Sequence, residues 1–430
     1  MKRWIVLGVM ALSLALPPVA AAQASIQVLD QKVDAVFRDH ITFSVSLQSP
    51  SPITDVRLLY KVAGFPATNR GEATFQPGAW LEASFNLDQT KNYLPPGSSI
   101  SYYWQITNQG GDTLKTTAQT YVYMDDRHPW QKLSNDRLAL YWYVGGDALG
   151  KALFDQANKT LDQIEQEAGV QVTAPAQIFI YGSHDDLMNA IAMGNTEWTG
   201  GQTFPEQGIV VIGVSPDQLE FGLIAVPHEL THLVIHHATQ NPYNDLPRWL
   251  DEGLAVYMSG ELDAPWRGYR QLVASLVQMN QLMTLQTLSS SFPADPNQAL
   301  QAYAQSATVV EFIIKHYGSQ AMANLLKAFA EGNTYDDALK QALGVDTWGL
   351  DNAWRQSVGA PQIQVPGQAQ PNSSGARWAS PAGSLIDGMA AAGTPLSTDH
   401  STGLIGLGMP VIHGSRLSNG ESCNPLNPFS

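Results

Sequence analysis

At 430 residues and 44% hydrophobic content the chain is too long for one ordinary domain and has apolar material for more than one core. Its formal net charge of -15 argues against nucleic acid and against anionic membrane surfaces, which both need clustered Lys and Arg. The single cysteine, Cys423, cannot form an intrachain disulfide and removes Cys-ligated zinc and Cys–His nucleophilic catalysis.

Residues 1–24 read as a secretory signal peptide. Lys2 and Arg3 supply the charged start, Trp4 to Leu16 form an apolar run, and Pro17-Pro18 break it before the small-x-small pattern Ala22-Gln23-Ala24. The run is short for a membrane span, no later stretch is long and apolar enough for one, and no Cys stands near the cleavage point to carry a lipid. A mature chain starting near Ser25, secreted or held in the cell envelope, is expected.

From residue 25 to 126 the apolar pattern has period two. Ile41, Phe43, Val45 and Leu47 alternate with polar residues, as do Val56, Leu58, Tyr60 and Val62, then Leu81, Ala83, Phe85 and Leu87, then Ile100, Tyr102, Trp104 and Ile106. Short alternating strands between Pro, Gly and Asn turns predict an all-β sandwich of immunoglobulin or fibronectin III type, serving as spacer or binding module.

Past the junction at Asp125 to Trp130 the pattern becomes mixed. The reading predicts a strand over 138–144, a helix N-capped by Asp147 and ending at Gly169, a strand over 177–181, a short helix over 185–192 and a strand over 209–212. Helices follow from about 218 to 357, which makes residues 127–359 an α+β domain. Residues 360–430, rich at first in Gln, Pro, Ser and Ala, predict a flexible tail.

The chemistry concentrates in two stretches. His228-Glu229-Leu230-Thr231-His232 places two imidazoles four residues apart on one helix face, where they can share a metal. Glu229, one position round, can reach a water on that metal as its base. Twenty residues on, Pro247 to Tyr257 predicts a second helix, with Asn244 or Asp245 as N-cap and Leu246, Trp249, Leu250, Gly253, Leu254 and Tyr257 on its apolar stripe. Asp251 and Glu252 are carboxylates embedded in that helix, and either can complete the ligand set.

These two elements, HELTH and WLDEGLAVY, resemble the gluzincin metallopeptidases, in particular the peptidase MA-like family, over roughly Leu138 to Gly359. The resemblance implies a zincin fold and one Zn2+ per chain, held by His228, His232 and Glu252. It further implies a peptide or protein substrate, Glu229 as catalytic base and Tyr303 as the residue facing the developing oxyanion, with Tyr257 and His316 as rivals. It also implies that the strand before the HELTH helix, 207–213, forms a sheet edge that pairs with extended substrate.

A metzincin would instead need Gly and His where Ile235 and Ala238 stand. His236, rotated about 80° from His228 on an ideal helix, and its neighbour His237 read as solvent or pocket residues. Asp251 is the sequence's suggestion for an acid orienting a ligand histidine. Pro227 predicts either a helix starting near Val226 or a bend. The competing functional readings are a zinc hydrolase of a non-peptide bond and a non-catalytic, zinc-stabilised surface-binding protein.

Overall fold

The computed structural model describes residues 26–172, 174–191 and 200–364. The signal-peptide reading and nearly all of the predicted tail lie outside them. The described chain divides into two compact units, one of residues 26–62, 66–92 and 99–122, the other of 63–65, 93–98 and everything from 123 onward.

The first unit is a β-structure of strands β1 (Gln27–Val36), β2 (His40–Val62), β3 (Asn69–Glu72), β4 (Gly78–Asp88), β5 (Ser98–Asn108), β6 (Thr113–Lys115) and β7 (Gln119–Tyr123). Its organising element is β2, which is 23 residues long. Residues 40–48 of β2 run antiparallel between β1 and β4; beyond a break in register, residues 53–62 run between β3 and β5. The two halves face each other, since the Phe43 ring meets Tyr102 edge-on at 4.8 Å and Tyr60 meets Phe85 at 5.9 Å. The period-two residues Ile41, Phe43, Val45, Leu47, Leu58, Ile100, Trp104 and Ile106 are almost completely buried between them.

The second unit carries a five-stranded sheet formed by β8 (Gln131–Ser134), β9 (Leu138–Trp142), β10 (Ala176–Tyr181), β11 (Gly201–Phe204) and β12 (Ile209–Gly213), in the order β11-β12-β10-β9-β8. The three inner strands are parallel and the two outer ones antiparallel to them. Helix α1 (Gly146–Ala168) follows β9, and the short α2 (His184–Met188) follows β10. Then come α3 (Leu219–Thr239), α4 (Arg248–Met258), α5 (Tyr269–Met279), α6 (Leu285–Leu288), α7 (Pro296–Tyr317), α8 (Ser319–Ala330), α9 (Tyr335–Leu343) and α10 (Thr347–Ser357). One apolar core joins Leu138, Leu140, Ile178, Ile180, Val210 and Ile212 of the sheet to Leu149, Leu153, Leu161 and Ile164 of α1 and to the buried faces of α3, α4 and α7.

Several local expectations change. The cap before α1 is Gly145, whose φ of 84° suits glycine, and Asp147 sits inside the first turn instead. Helix α2 stops at Met188, four residues short of the predicted end. Strand β12 is not an edge, because β11 pairs with its outer side and takes the edge position. Among the described residues no helix is long and apolar enough to cross a membrane.

Candidate metal centre

Helix α3 runs unbroken from Leu219 to Thr239 with Pro227 inside it, so it neither starts at Val226 nor ends at the proline. Pro227 lacks the N–H that would bond back one turn, but its own carbonyl accepts the Thr231 hydroxyl at 2.8 Å. The helix tolerates this because it is central: Ala225 through Ile235 are all buried. A helix apolar on every side belongs inside a core, and polar residues buried in it need partners.

Those partners come from α4. Its N-cap is Pro247, not Asn244 or Asp245, with backbone at φ -61° and ψ 137° leading into Arg248. Trp249 to Val256 are buried without exception, so Asp251 and Glu252 are interior carboxylates, not members of a solvated face. Gly253 explains how α4 comes so close to α7: a Cβ there would stand 2.7 Å from the Ser306 carbonyl oxygen and 2.8 Å from Val310.

His228 Nε2 lies 3.6 Å and His232 Nε2 3.4 Å from Glu252 Oε2. A buried nitrogen–oxygen set can be held together by hydrogen bonds or by an ion. Ligands about 2.0–2.1 Å from a tetrahedral zinc stand roughly 3.3–3.4 Å from one another, close to the two nitrogen–oxygen spacings here. His228 Nε2 is buried with no hydrogen-bond partner among the described residues, as befits a metal-facing nitrogen. The two-histidine, one-carboxylate donor set is that of a catalytic zinc with an open fourth position. These residues therefore fit the ion.

Each ligand is held from behind. His228 Nδ1 donates to Glu261 Oε1 at 2.9 Å, and Glu261 Oε2 is 3.0 Å from the buried Arg267 guanidinium. His232 Nδ1 donates to Asp251 Oδ1 at 2.7 Å, and Glu252 Oε1 is 2.5 Å from Arg248 Nη2. The tautomers follow from chemistry, since a carboxylate can only accept. Burial favours neutral histidines, but the Glu252 and Glu261 carboxylates outweigh it and raise His228 to about 9. For His232 the same contest against Asp251 and Glu252 ends at about 10. Burial likewise opposes ionisation of Glu252, but Arg248 and then His232 hold it well below the ordinary range.

Glu229 is fully buried beside this cluster and accepts the Thr203 hydroxyl at Oε2, 2.8 Å away. Gly201 permits the approach of β11: a Cβ there would come within 3.1 Å of the Glu229 carboxyl. The structure thus brings His228, Glu229, His232, Asp251 and Glu252 together. Tyr303 lies on α7 in the apolar core, edge-on to Phe292 at 5.1 Å. Of its rivals, Tyr257 is turned to Glu167, and the exposed His316 stacks on Phe312.

Sequence reasoning missed Thr203, Glu261, Arg267 and Arg248, which no motif spacing announces. It also set His236 aside. Measured from His232 instead of His228, the angular offset is only about 40°, and His236 Nε2 donates to Asp251 Oδ1 at 2.9 Å. A cavity of about 550 Å³ adjoins this side of the centre, walled by Tyr93, Phe204, His236, Arg248, Asp251 and Tyr335 among others.

Residues 156–360 match the Peptidase MA superfamily. The chain is 24% identical to Aminopeptidase 2, mitochondrial, of Saccharomyces cerevisiae over 307 residues, which cover 65% of this chain and 30% of that protein. It is 28% identical to the Alanine/arginine aminopeptidase of the same yeast over 277 residues, 59% of this chain and 31% of the other. The chain therefore spans about 30% of the length of these curated relatives. A solved M1 zinc metallopeptidase from Deinococcus radiodurans aligns over 80% of this chain and 96% of its own, with 12% identity and a TM-score of 0.32. The matched segment carries both motifs, and its likeness is to the Peptidase MA superfamily.

Proposed function

We propose that the chain is an exported zinc-dependent metallopeptidase, with one zinc held by His228, His232 and Glu252. The observation that supports this most is the convergence of those three buried side chains, with both imidazoles within 3.6 Å of Glu252 Oε2, next to an equally buried Glu229. A structural zinc site has no use for such a base. Zinc bound there supplies Lewis acidity towards a carbonyl oxygen and lowers the pKa of water.

The protein supplies the proton handling and the orientation. Glu229, steadied by Thr203, takes the proton from the attacking water and delivers it to the leaving amine. Asp251 and Glu261 fix the two imidazoles in the tautomer that presents Nε2. Tyr303 is assigned the stabilisation of the developing oxyanion on the strength of the family resemblance. The substrate class is a peptide or protein. The β-rich unit, of immunoglobulin or fibronectin III type, acts as spacer or binding module, and residues 1–24 serve as the export signal.

Replacing Glu229 by Gln keeps the shape and the Thr203 contact but removes the base. Glu229→Gln is expected to retain zinc at the wild-type level by metal analysis while peptide turnover falls by roughly 10²–10⁴. Undiminished turnover in that variant would remove Glu229 from the mechanism.

A further inference from the structure

Asp251 is asked to do more than orient one ligand. Its Oδ1 accepts His232 Nδ1 at 2.7 Å and His236 Nε2 at 2.9 Å, and its Oδ2 stands 3.7 Å from Arg248 Nη1. The carboxylate itself is only 5% exposed, whereas the His236 side chain is 24% exposed. His236 also walls the cavity beside the centre together with Arg248 and Asp251. A chain of groups therefore leads from an accessible imidazole, through a buried carboxylate, to the metal-facing His232.

We infer that His236 is a positioning residue of the zinc centre, acting through Asp251 on His232. The reading rests on the zinc site proposed above. Two donors converging on one oxygen fix the carboxylate rotamer more tightly than His232 alone, and Asp251 in turn fixes the imidazole plane of His232. The second donor also draws negative charge from Oδ1. With His236 in place, Asp251 pulls less strongly on the His232 Nδ1 proton. His236 thus sets both the direction and the strength with which His232 Nε2 is presented to zinc. Arg248 braces the same assembly from the other side, since it reaches Glu252 Oε1 as well as Asp251. Outer partners of metal ligands commonly change affinity by about 10–100-fold when removed. The position of His236 at the cavity wall makes this support reachable from outside the core: a group entering the cavity can take the His236 hydrogen bond for itself.

The test uses the full chain with zinc and, separately, with cobalt. His236→Ala removes the second donor, and His236→Gln restores an N–H of similar reach. The readouts are the rate of zinc loss to a chelator and the visible absorption of the cobalt form, with circular dichroism to establish that each variant is folded. His236→Ala is expected to release zinc about 10-fold faster and to shift the cobalt bands, with His236→Gln returning most of both towards wild type. Wild-type release and an unchanged cobalt spectrum in folded His236→Ala would overturn the inference. So would a defect in His236→Ala that His236→Gln shares in full, because packing and not the donor would then be responsible. A wild-type chain that takes up no zinc would instead sink the functional reading on which the inference stands.

Discussion

Glu252 sits where two different demands meet. One oxygen faces both imidazoles and the other faces Arg248, and the whole side chain is out of reach of water. Removing a buried carboxylate outright would leave Arg248 with less compensation, and breaking such a pair costs several kcal/mol, roughly 3–5. Glu252→Ala would therefore mix loss of metal with loss of stability. Glu252→Gln keeps the shape and a carbonyl towards Arg248 but lowers the ligand's charge. It is expected to fold, to bind zinc at least 10-fold more weakly in a competition assay, and to lose turnover in proportion. At this scale the sequence was informative where spacing along one helix defines geometry, as for His228, Glu229 and His232. It was uninformative where a partner arrives from elsewhere in the chain, as Glu261 does from a turn 33 residues after His228 and Thr203 from a strand 26 residues before Glu229.

Secondary structure was legible in proportion to its periodicity. The alternating strands of the first unit bury the residues that the pattern nominates, except Tyr60 and Phe85, which are half-buried. Helices α3 and α4 defeat the same reasoning, because a helix buried on all sides has no polar face to mark its phase or its ends. Their boundaries shifted accordingly, with α3 running through Pro227 and α4 capped by Pro247. The C-terminal helices are tied by side-chain caps. The Asp336 carboxylate of α9 accepts the backbone N–H of Thr347 at 3.0 Å and its hydroxyl at 2.7 Å, docking α10. These bonds hold its pKa below the ordinary value. A depressed folded pKa stabilises the fold above the unfolded value, near 4, and loses that contribution as pH falls through the folded one. Because Asp336 is only partly buried, solvent screening keeps this contribution small. Asp336→Asn should lower the unfolding temperature slightly at pH 7, and the gap to wild type should close by pH 3. Denaturation curves at the two pH values check the sign.

The whole molecule is less modular than its sequence suggests. Composition and periodicity change near Trp130, yet residues 63–65 and 93–98, which lie within the β-rich stretch, belong with the second unit. There the Tyr93 hydroxyl donates to the Ala190 carbonyl at 2.9 Å, Gln177 Nε2 donates to the Gly97 carbonyl at 3.3 Å, and Gly64 lies against the Glu206 carbonyl. At the far end Asn352 of α10 exchanges hydrogen bonds with the backbone of Ile363, so the ordered fold extends past Gly359. A fragment comprising 127–359 would lack all of these contacts. It is expected to unfold several degrees below the chain of residues 26–364, and differential scanning calorimetry of the two would show it. Local periodicity could not reveal this, because the two short segments are loops whose partners are far away in sequence. The interleaving has a bearing on descent as well as on stability. Recombination that exchanges whole modules works by cutting a chain once between folded pieces, and no single cut here frees the second unit intact. A recombination event that joined residues 123 onward to a different front piece would leave behind residues 63–65 and 93–98, which belong to the same compact unit.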